Sequence, residues 1–426
     1  MNQDMDRKKV LMLTLFPFSG NGSATVVRDL ATVLSPSIEC MVFYVDTEIS
    51  KVESYQSHFH LVTDFPVLRT HPKSRARRQF IEMSNAEIDR YVDDLYDALG
   101  PVVESFNPDL IHVHHGWLGA CVAQRFKKER QIPFLVQFHG TELEARHDYQ
   151  QASPEHFAYQ EGLVTSALKE ASRFVAISPT EEEAIQAYAT ETGLDVQISM
   201  IPNGYDESIF FPAEKDYAAI TKKFGARFKG KKLDPNLPIA MFVGRFVGFK
   251  GISHLIRAVP HVQTEGLQVL LCGGGELFDD MVELSQELEL DRVYFMGHVD
   301  HFDDLPNFYN VADVLVMPSE GEPFGLVAIE AMGCGTPIIG SDSGALPFIL
   351  GSSRMDETHG DLKIAPLGVL APYGDQKAIA AGIDYVLQQK WDTDRSTWLS
   401  EQVRQQFSVK AQAKAFSELY DHVSLD

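Results

Sequence analysis

Short apolar runs alternate with helix-length stretches along nearly the whole of this 426-residue chain, and the series starts afresh in its second half. Such alternation leaves few architectures open. A strand parallel to its predecessor needs a long crossover, and a helix is the usual one, so the pattern builds parallel sheets with helices on both faces. In the first half, strands are predicted at 10–16, 41–45, 110–114, 134–138 and 173–177, and helices at 23–34, 85–106, 118–129 and 179–188. Ser178-Pro179-Thr180-Glu181 is a capping box with proline at the first helical position, which marks one helix start sharply. In the second half, strands fit 239–243, 269–272, 293–296, 314–317 and 337–339, and helices 252–262, 278–288, 305–310 and 326–332. Between the halves lie Ile201-Pro202-Asn203-Gly204-Tyr205-Asp206 and a Lys/Gly-rich stretch at 222–238, which read as the hinge. The chain is too long for one ordinary core. The expectation is an α/β protein of two Rossmann-like domains, 1–203 and 204–399, facing each other across a cleft. Ligands would bind at the carboxyl ends of the strands. An amphipathic helical tail at 398–425 is expected to bring residues 400–426 back onto the first domain.

Composition narrows the function. A formal net charge of −23 argues against nucleic acid as a partner, because a phosphate backbone needs a basic footprint. No apolar run approaches the ~18 residues that span a bilayer. The polar start leads straight into a short strand and does not read as a secretory signal. Cys40, Cys121, Cys272 and Cys334 are scattered, with no pair at metal-ligand or redox spacing, as expected of buried thiols in a cytoplasmic protein. One basic cluster stands out: Arg69, Lys73, Arg75, Arg77 and Arg78. A solvated loop is the plainer reading, and a site for an anionic acceptor or peripheral docking on an anionic membrane is the sharper one.

The segment Ser319 to Gly344 carries the strongest chemical signal. Glu322 and Glu330 are separated by seven residues, with Pro323-Phe324-Gly325 between them where an apolar helix begins. One carboxylate then lies in a loop and the other in the helix, and the free N–H groups of the helix start point between them. Phosphate suits the helix start, and sugar hydroxyls suit the carboxylates. The segment reads as a socket for a sugar nucleotide. Arg245 and Lys250, five residues apart at a strand's carboxyl end, could clamp a diphosphate and stabilise it as a leaving group. Gly273-Gly274-Gly275 permits close backbone approach, and Gly297-His298-Val299 could read the edge of a base through its backbone. Gly20-Asn21-Gly22-Ser23 follows the first strand but lacks the spaced dinucleotide fingerprint, so a nicotinamide cofactor is disfavoured. His139 ends an apolar strand before Gly140, and its imidazole could meet a substrate hydroxyl. His112 and His114 share a strand face, yet no cysteine or carboxylate at ligand spacing completes a metal set, and Asp93 and Asp94 line a wet helix face. No metal site is expected.

Taken in order, these residues resemble the retaining glycosyltransferases of the GT-B fold, specifically the family 4 group (glycosyl transferases group 1). The resemblance runs through the glycine-rich loop, PNGYDESIFFP at 202–212, VGRFVGFKG at 243–251 and EGEPFGLVAIEAMGCGTPIIGSDSG at 320–344. It implies that Glu322 holds donor-sugar hydroxyls and Glu330 the ribose hydroxyls. Phe324, Gly325 and Leu326 would offer backbone amides, and Arg245 and Lys250 would neutralise the diphosphate. His139 would sit by the transferred sugar, and Gly22 beneath donor and acceptor. Family members often carry Gly-Gly where this chain has Asn21-Gly22, so Asn21 is expected to reshape the acceptor pocket. The implied reaction, in the EC 2.4 class, moves a sugar from a nucleoside diphosphate to an acceptor hydroxyl with retention. It needs no metal or cofactor, and the leaving phosphate helps to deprotonate the acceptor. UDP is the expected nucleotide, and N-acetylglucosamine or glucose the sugar. The alternatives are a sugar-nucleotide epimerase on the same architecture, a non-catalytic nucleotide-sugar binder, and a glycoside hydrolase. The last is disfavoured because both carboxylates belong to one loop–helix unit.

Overall fold

The computed structural model describes residues 7–17, 22–46, 56–61, 66–67, 78–228, 230–353, 357–389 and 392–423. The chain divides into two compact units: residues up to Gly204 together with those from Val409 onward, and Tyr205–Ser408.

In the first unit the chain order is β1 (Lys9–Thr14), α1 (Gly22–Leu34), β2 (Glu39–Asp46), β3 (Gln56–Leu61), and the short pair β4 (Pro66–Val67) and β5 (Arg78–Gln79). There follow α2 (Asn85–Phe106), β6 (Leu110–His114), α3 (Leu118–Arg130), β7 (Phe134–Gln137), α4 (Thr141–Ala152), α5 (Pro154–Leu168), β8 (Arg173–Ala176), α6 (Pro179–Thr192) and β9 (Ile198–Met200). Seven strands form one parallel sheet in the order β3-β2-β1-β6-β7-β8-β9. β6 and β7 are buried along their whole length, as central strands covered on both faces must be. The start of α2 follows from its sequence. Ser84 accepts from the Glu87 N–H, Glu87 returns a bond to the Ser84 N–H, and left-handed Asn107 ends the helix.

The second unit contains α7 (Tyr217–Phe224), β10 (Ile239–Val243), α8 (Ile252–Ala258), β11 (Gln268–Cys272), α9 (Phe278–Glu287), β12 (Val293–Gly297), α10 (Leu305–Val311) and β13 (Val314–Met317). It continues with α11 (Leu326–Gly333), β14 (Ile338–Ser341), α12 (Leu346–Ile349), β15 (Glu357–His359), β16 (Leu362–Ala365), β17 (Gly368–Ala371), α13 (Gln376–Gln388) and α14 (Thr393–Phe407). Its eight strands run in the order β12-β11-β10-β13-β14-β17-β16-β15, parallel as far as β17 and antiparallel at the β16–β15 edge. α8 stops at Ala258, short of the predicted 262. A tighter turn takes over at Val259–His261 because Pro260 has no N–H to continue the ladder. No helix among the described residues is long and apolar enough to cross a membrane.

The tail read as one helix is two. α14 stays in the second unit, where Ser400 Oγ donates to the Gly333 carbonyl at 2.6 Å and Phe407 lies edge-on to the rings of Phe324 and Phe348. α15 (Val409–His422) joins the first unit and buries Ala413, Phe416 and Tyr420 against α1, β1 and β2. The break comes at Ser408, whose backbone is extended. The Phe407 carbonyl accepts from the Tyr205 N–H at 2.9 Å, and Tyr205 pairs with Ser408 in a parallel bridge.

One buried carboxylate braces the second unit. Asp384 of α13 accepts from the Gln263 N–H at 2.9 Å, the Thr264 N–H at 2.8 Å and Thr264 Oγ at 2.7 Å. Replacing Asp384 with alanine strands all three donors and is expected to cost about 2–3 kcal/mol, read as a lowered urea midpoint at unchanged slope.

Candidate active site

In the second unit, the loops after the paired strands β10 and β13 carry the predicted donor residues. Glu320 N–H donates to the Phe249 carbonyl at 2.6 Å and ties the two loops together. Lys250 Nζ then meets Glu322 Oε2 at 2.5 Å, with both side chains largely shielded. Gly251 makes this approach feasible. Its φ is +65°, and a Cβ there would lie 1.9 Å from the Pro318 carbonyl oxygen. The segment after β14 holds the Glu322 loop from its other side. Ala345 N–H donates to the Glu322 carbonyl at 2.9 Å, and Ser343 Oγ accepts from the Gly321 N–H at 3.0 Å.

α11 begins at Leu326 from Gly325, whose φ of +108° turns the chain into the helix. Phe324 is buried edge-on to Phe407, so its ring is committed to packing. Glu330 is 2% exposed. Its Oε2 accepts from the Tyr309 hydroxyl at 3.1 Å, and its Oε1 lies 3.4 Å from His301 Nε2. Burial, then the adjacent Glu330 carboxylate, push the Tyr309 phenol well above its ordinary range, so it remains a donor.

The glycine-rich turn after β11 zips against the loop of Arg245. Phe246 N–H donates to the Gly274 carbonyl at 3.0 Å, Leu277 N–H to the Phe246 carbonyl at 3.1 Å, and Gly273 N–H to the Gly297 carbonyl at 2.7 Å. Gly273 sits at φ +134°, where a Cβ would fall 1.9 Å from the Gly244 carbonyl oxygen. Gly273→Ala is therefore expected to displace Arg245, raising the donor KM about tenfold and lowering the melting temperature. Arg245 is exposed and Val299 is buried.

In the first unit, β6 and β7 end in a histidine cluster. His112 and His114 stack with centroids 4.0 Å apart, and His114 Nδ1 meets His139 Nε2 at 3.2 Å. His112 Nδ1 lies 2.8 Å from the Tyr420 hydroxyl of α15. Burial pushes the His112 imidazole down to about 3 and holds those of His114 and His139 well below their ordinary range, so this stack is neutral. Nε2 of His139 is thereby taken by His114, and its ring also lies against His115 with centroids 4.6 Å apart. Among the described residues no group of three side chains could hold a metal ion.

One carboxylate beside His139, Glu142, escaped the sequence reading. A second, Glu181, enters it only as part of a capping box, although Ser178 accepts from the Glu181 N–H and no return bond from the Glu181 side chain is made. Glu142, in the first turn of α4, is 1% exposed. Its Oε1 accepts from the Gly116 N–H at 3.0 Å, and both oxygens lie 3.3 Å from the His139 N–H. Burial alone would raise this carboxyl, but His115, His139 and the backbone donors overturn that and hold it at about 2. Glu181 on α6 is pushed up to about 8 by burial, then by Glu142 and Glu144. An acid in the run His139-Gly140-Thr141-Glu142 was the only local cue, since nothing marks α4 as a helix by periodicity. Of the predicted acceptor residues, Asn21, Arg75 and Arg77 lie outside the described residues, as do Arg69 and Lys73. Gly22 is the first residue of α1. Arg78 pairs with Glu87 at 2.9 Å and donates to the Glu82 carbonyl, so it serves the cap of α2.

Two family models match the chain: Glycosyltransferase Family 4 over residues 20–209 and Glycosyl transferases group 1 over residues 225–406. The chain is similar to the N-acetyl-alpha-D-glucosaminyl L-malate synthase of Bacillus anthracis, 24% identical over 90% of this chain and 93% of that protein. It is 30% identical to an uncharacterized glycosyltransferase of Methanocaldococcus jannaschii over 57% of this chain, and spans 60% of that relative's length. Among solved structures, sucrose-phosphate synthase from Thermosynechococcus elongatus matches with a TM-score of 0.70 and 26% identity, covering 97% of this chain and 98% of that one. Anabaena HepE in complex with UDP and glucose matches with a TM-score of 0.66 and 19% identity, covering 97% and 100%. The two parallel Rossmann-like sheets are those of the GT-B fold.

Proposed function

This chain belongs to the family 4, group 1 glycosyltransferases, and on that premise we propose that it transfers glucose or N-acetylglucosamine from a UDP-sugar to an acceptor hydroxyl with retention at the anomeric carbon. The observation that carries this reading is the Lys250–Glu322 pair beside the start of α11. A cation, a carboxylate and free helix N–H groups are the three things a sugar diphosphate asks for. Glu322 grips donor-sugar hydroxyls, and Glu330, held by Tyr309, grips the ribose. Arg245 and Lys250 neutralise charge on the diphosphate as the bond to the anomeric carbon breaks. Gly274 and Val299 bring backbone up to the nucleotide. His139 meets the transferred sugar as a neutral imidazole. No step calls on a metal. UDP and glucose are supported by the ligands of HepE, and N-acetylglucosamine by the name of the Bacillus anthracis relative.

An anionic acceptor is supported by the basic run at 69–78 and by that relative's malate. Arg75→Ser with Arg77→Ser is expected to raise the acceptor KM about tenfold while leaving the donor KM unchanged; an unchanged acceptor KM would count against the idea. The function itself is tested by mass spectrometry of products after incubation with UDP-glucose, UDP-N-acetylglucosamine, GDP-mannose and a metabolite extract, with a chelator present. Transfer with an α-linked product supports the reading. Donor interconversion without acceptor would replace it by an epimerase, binding without turnover by a non-catalytic role, and a β-linked product would refute retention.

A further inference from the structure

His115 is a non-glycine residue at φ +68°, a strained conformation that persists only where surroundings impose it. Those surroundings are specific. The edge of Phe16 on one side and His139 on the other hold its ring at centroid distances of 4.7 and 4.6 Å. Its Nε2 lies 3.0 Å from Ser23 Oγ, in the first turn of α1 beside Gly22. Its Nδ1 lies 3.3 Å from Glu142 Oε1, paired electrostatically though long for a hydrogen bond. Glu142 is in turn fixed by the Gly116 and His139 N–H groups. Carboxylate, imidazole and hydroxyl thus stand in a row, with the imidazole nitrogens facing opposite ends. That is the order in which a hydroxyl proton can be passed inward and the resulting imidazolium stabilised by a buried anion.

We propose that Ser23, His115 and Glu142 form a proton relay that deprotonates the acceptor hydroxyl, with Ser23 Oγ touching the acceptor and the other two acting through it. The proposal rests on the transferase reading and on the acceptor lying by Gly22. As the acceptor oxygen bonds to the anomeric carbon, its proton passes to Ser23 Oγ. Ser23 gives its own proton to His115 Nε2, and the Glu142 carboxylate holds the imidazolium. The electron pair of the breaking carbon–oxygen bond leaves with the diphosphate, and His115 releases its proton to solvent after product departs. This gives the chain its own route for a proton that a front-face displacement otherwise hands to the leaving phosphate. Ser23 is not offered as a nucleophile.

The backbone of His115 makes the test clean. His115→Gly places glycine where φ is positive, relieves strain, and leaves an imidazole-shaped slot between Phe16 and His139. In the full-length protein, kcat is expected to fall about a hundredfold with the UDP affinity intact and the melting temperature somewhat lowered, because Glu142 loses its partner while the relieved backbone strain offsets part of that loss. Added imidazole is expected to restore at least a tenth of the lost rate, with saturation. Ser23→Ala is expected to lower kcat similarly and to gain nothing from imidazole. Retention of kcat within twofold in His115→Gly would overturn the relay. So would a loss that imidazole does not repair, since that is the mark of a purely structural role. If the unaltered protein binds UDP but transfers no sugar to any acceptor, the transferase reading falls and takes the relay with it, a result told apart by the missing parent activity.

Discussion

Replacing Lys250 with methionine is expected to lower kcat/KM for a UDP-sugar by about three orders of magnitude. A single preorganised charge aimed at a developing anion is worth about a hundred- to a thousandfold, and Lys250 is shielded enough for its field to count nearly in full. Its Nζ lies 2.5 Å from Glu322 Oε2, and the two side chains are only 17% and 10% exposed. Methionine keeps the stem and removes the charge, so Glu322 loses its partner as well. A part-buried carboxylate left alone costs stability, and this variant should melt below the parent. Glu322→Gln leaves a lysine that water can reach more easily, so its melting temperature should fall less, while activity falls about a hundredfold through lost grip on sugar hydroxyls. The double variant discriminates. If the pair is kept for catalysis, Lys250→Met with Glu322→Gln should melt above Lys250→Met alone yet remain as inactive. Recovery of both stability and activity would mean that the pair is structural. Donor-saturation kinetics and thermal melts on the three variants decide it.

What the sequence made legible follows from how local each interaction is. Glu322, Gly325 and Glu330 belong to one loop–helix unit, so their spacing alone fixes which lies in the loop and which in the helix. The strands at 110–114, 239–243 and 314–317 are found as predicted, because central parallel strands are continuous apolar runs bounded by turns. The partners of these residues are another matter. Tyr309 reaches Glu330 from α10, and Glu142 reaches Gly116 from α4. Neither contact leaves a periodic trace. α4 itself, Thr141–Ala152, buries only Glu142, Ala145 and Tyr149, too few for an apolar stripe. The break at Ser408 was hidden for the same reason: both sides are good helix, and only the distant Tyr205 N–H claims the carbonyl that would have continued it. The basic cluster misleads in part, since charge in a sequence does not say what it pairs with, and Arg78 is spent on Glu87.

Glu181→Gln is expected to stabilise the protein at pH 8 by about 3 kcal/mol and to leave it unchanged near pH 4.5. Glu181 lies in the first turn of α6, where a helix start ordinarily favours an anion. Here burial dominates, Glu142 and Glu144 add repulsion, and a bond from the Gly140 N–H compensates only in part, so the carboxyl titrates at about 8. In the unfolded chain it ionises near 4.5. Between those values the unfolded state binds fewer protons than the folded one. The contribution of Glu181 to stability therefore falls as pH rises from about 4.5 to about 8 and is flat beyond, while the buried neutral His112, His114 and His139 act with the opposite sign below about 6.5. Glutamine keeps an acceptor for Gly140 and cannot ionise, so it removes that slope. Glu142, held at about 2, acts with the opposite sign: its contribution is whole above 4.5 and is lost as pH falls toward 2. The two acids are coupled, because the Glu142 charge is the second cause of the Glu181 shift. Glu142→Gln should therefore shrink the loss of stability between pH 5 and 8 even though it touches a different residue. Urea unfolding at half-unit pH intervals measures both slopes. A difference between the parent and Glu181→Gln curves that is level from pH 5 to 8 would show Glu181 to be ionised in the folded protein and would refute the assignment.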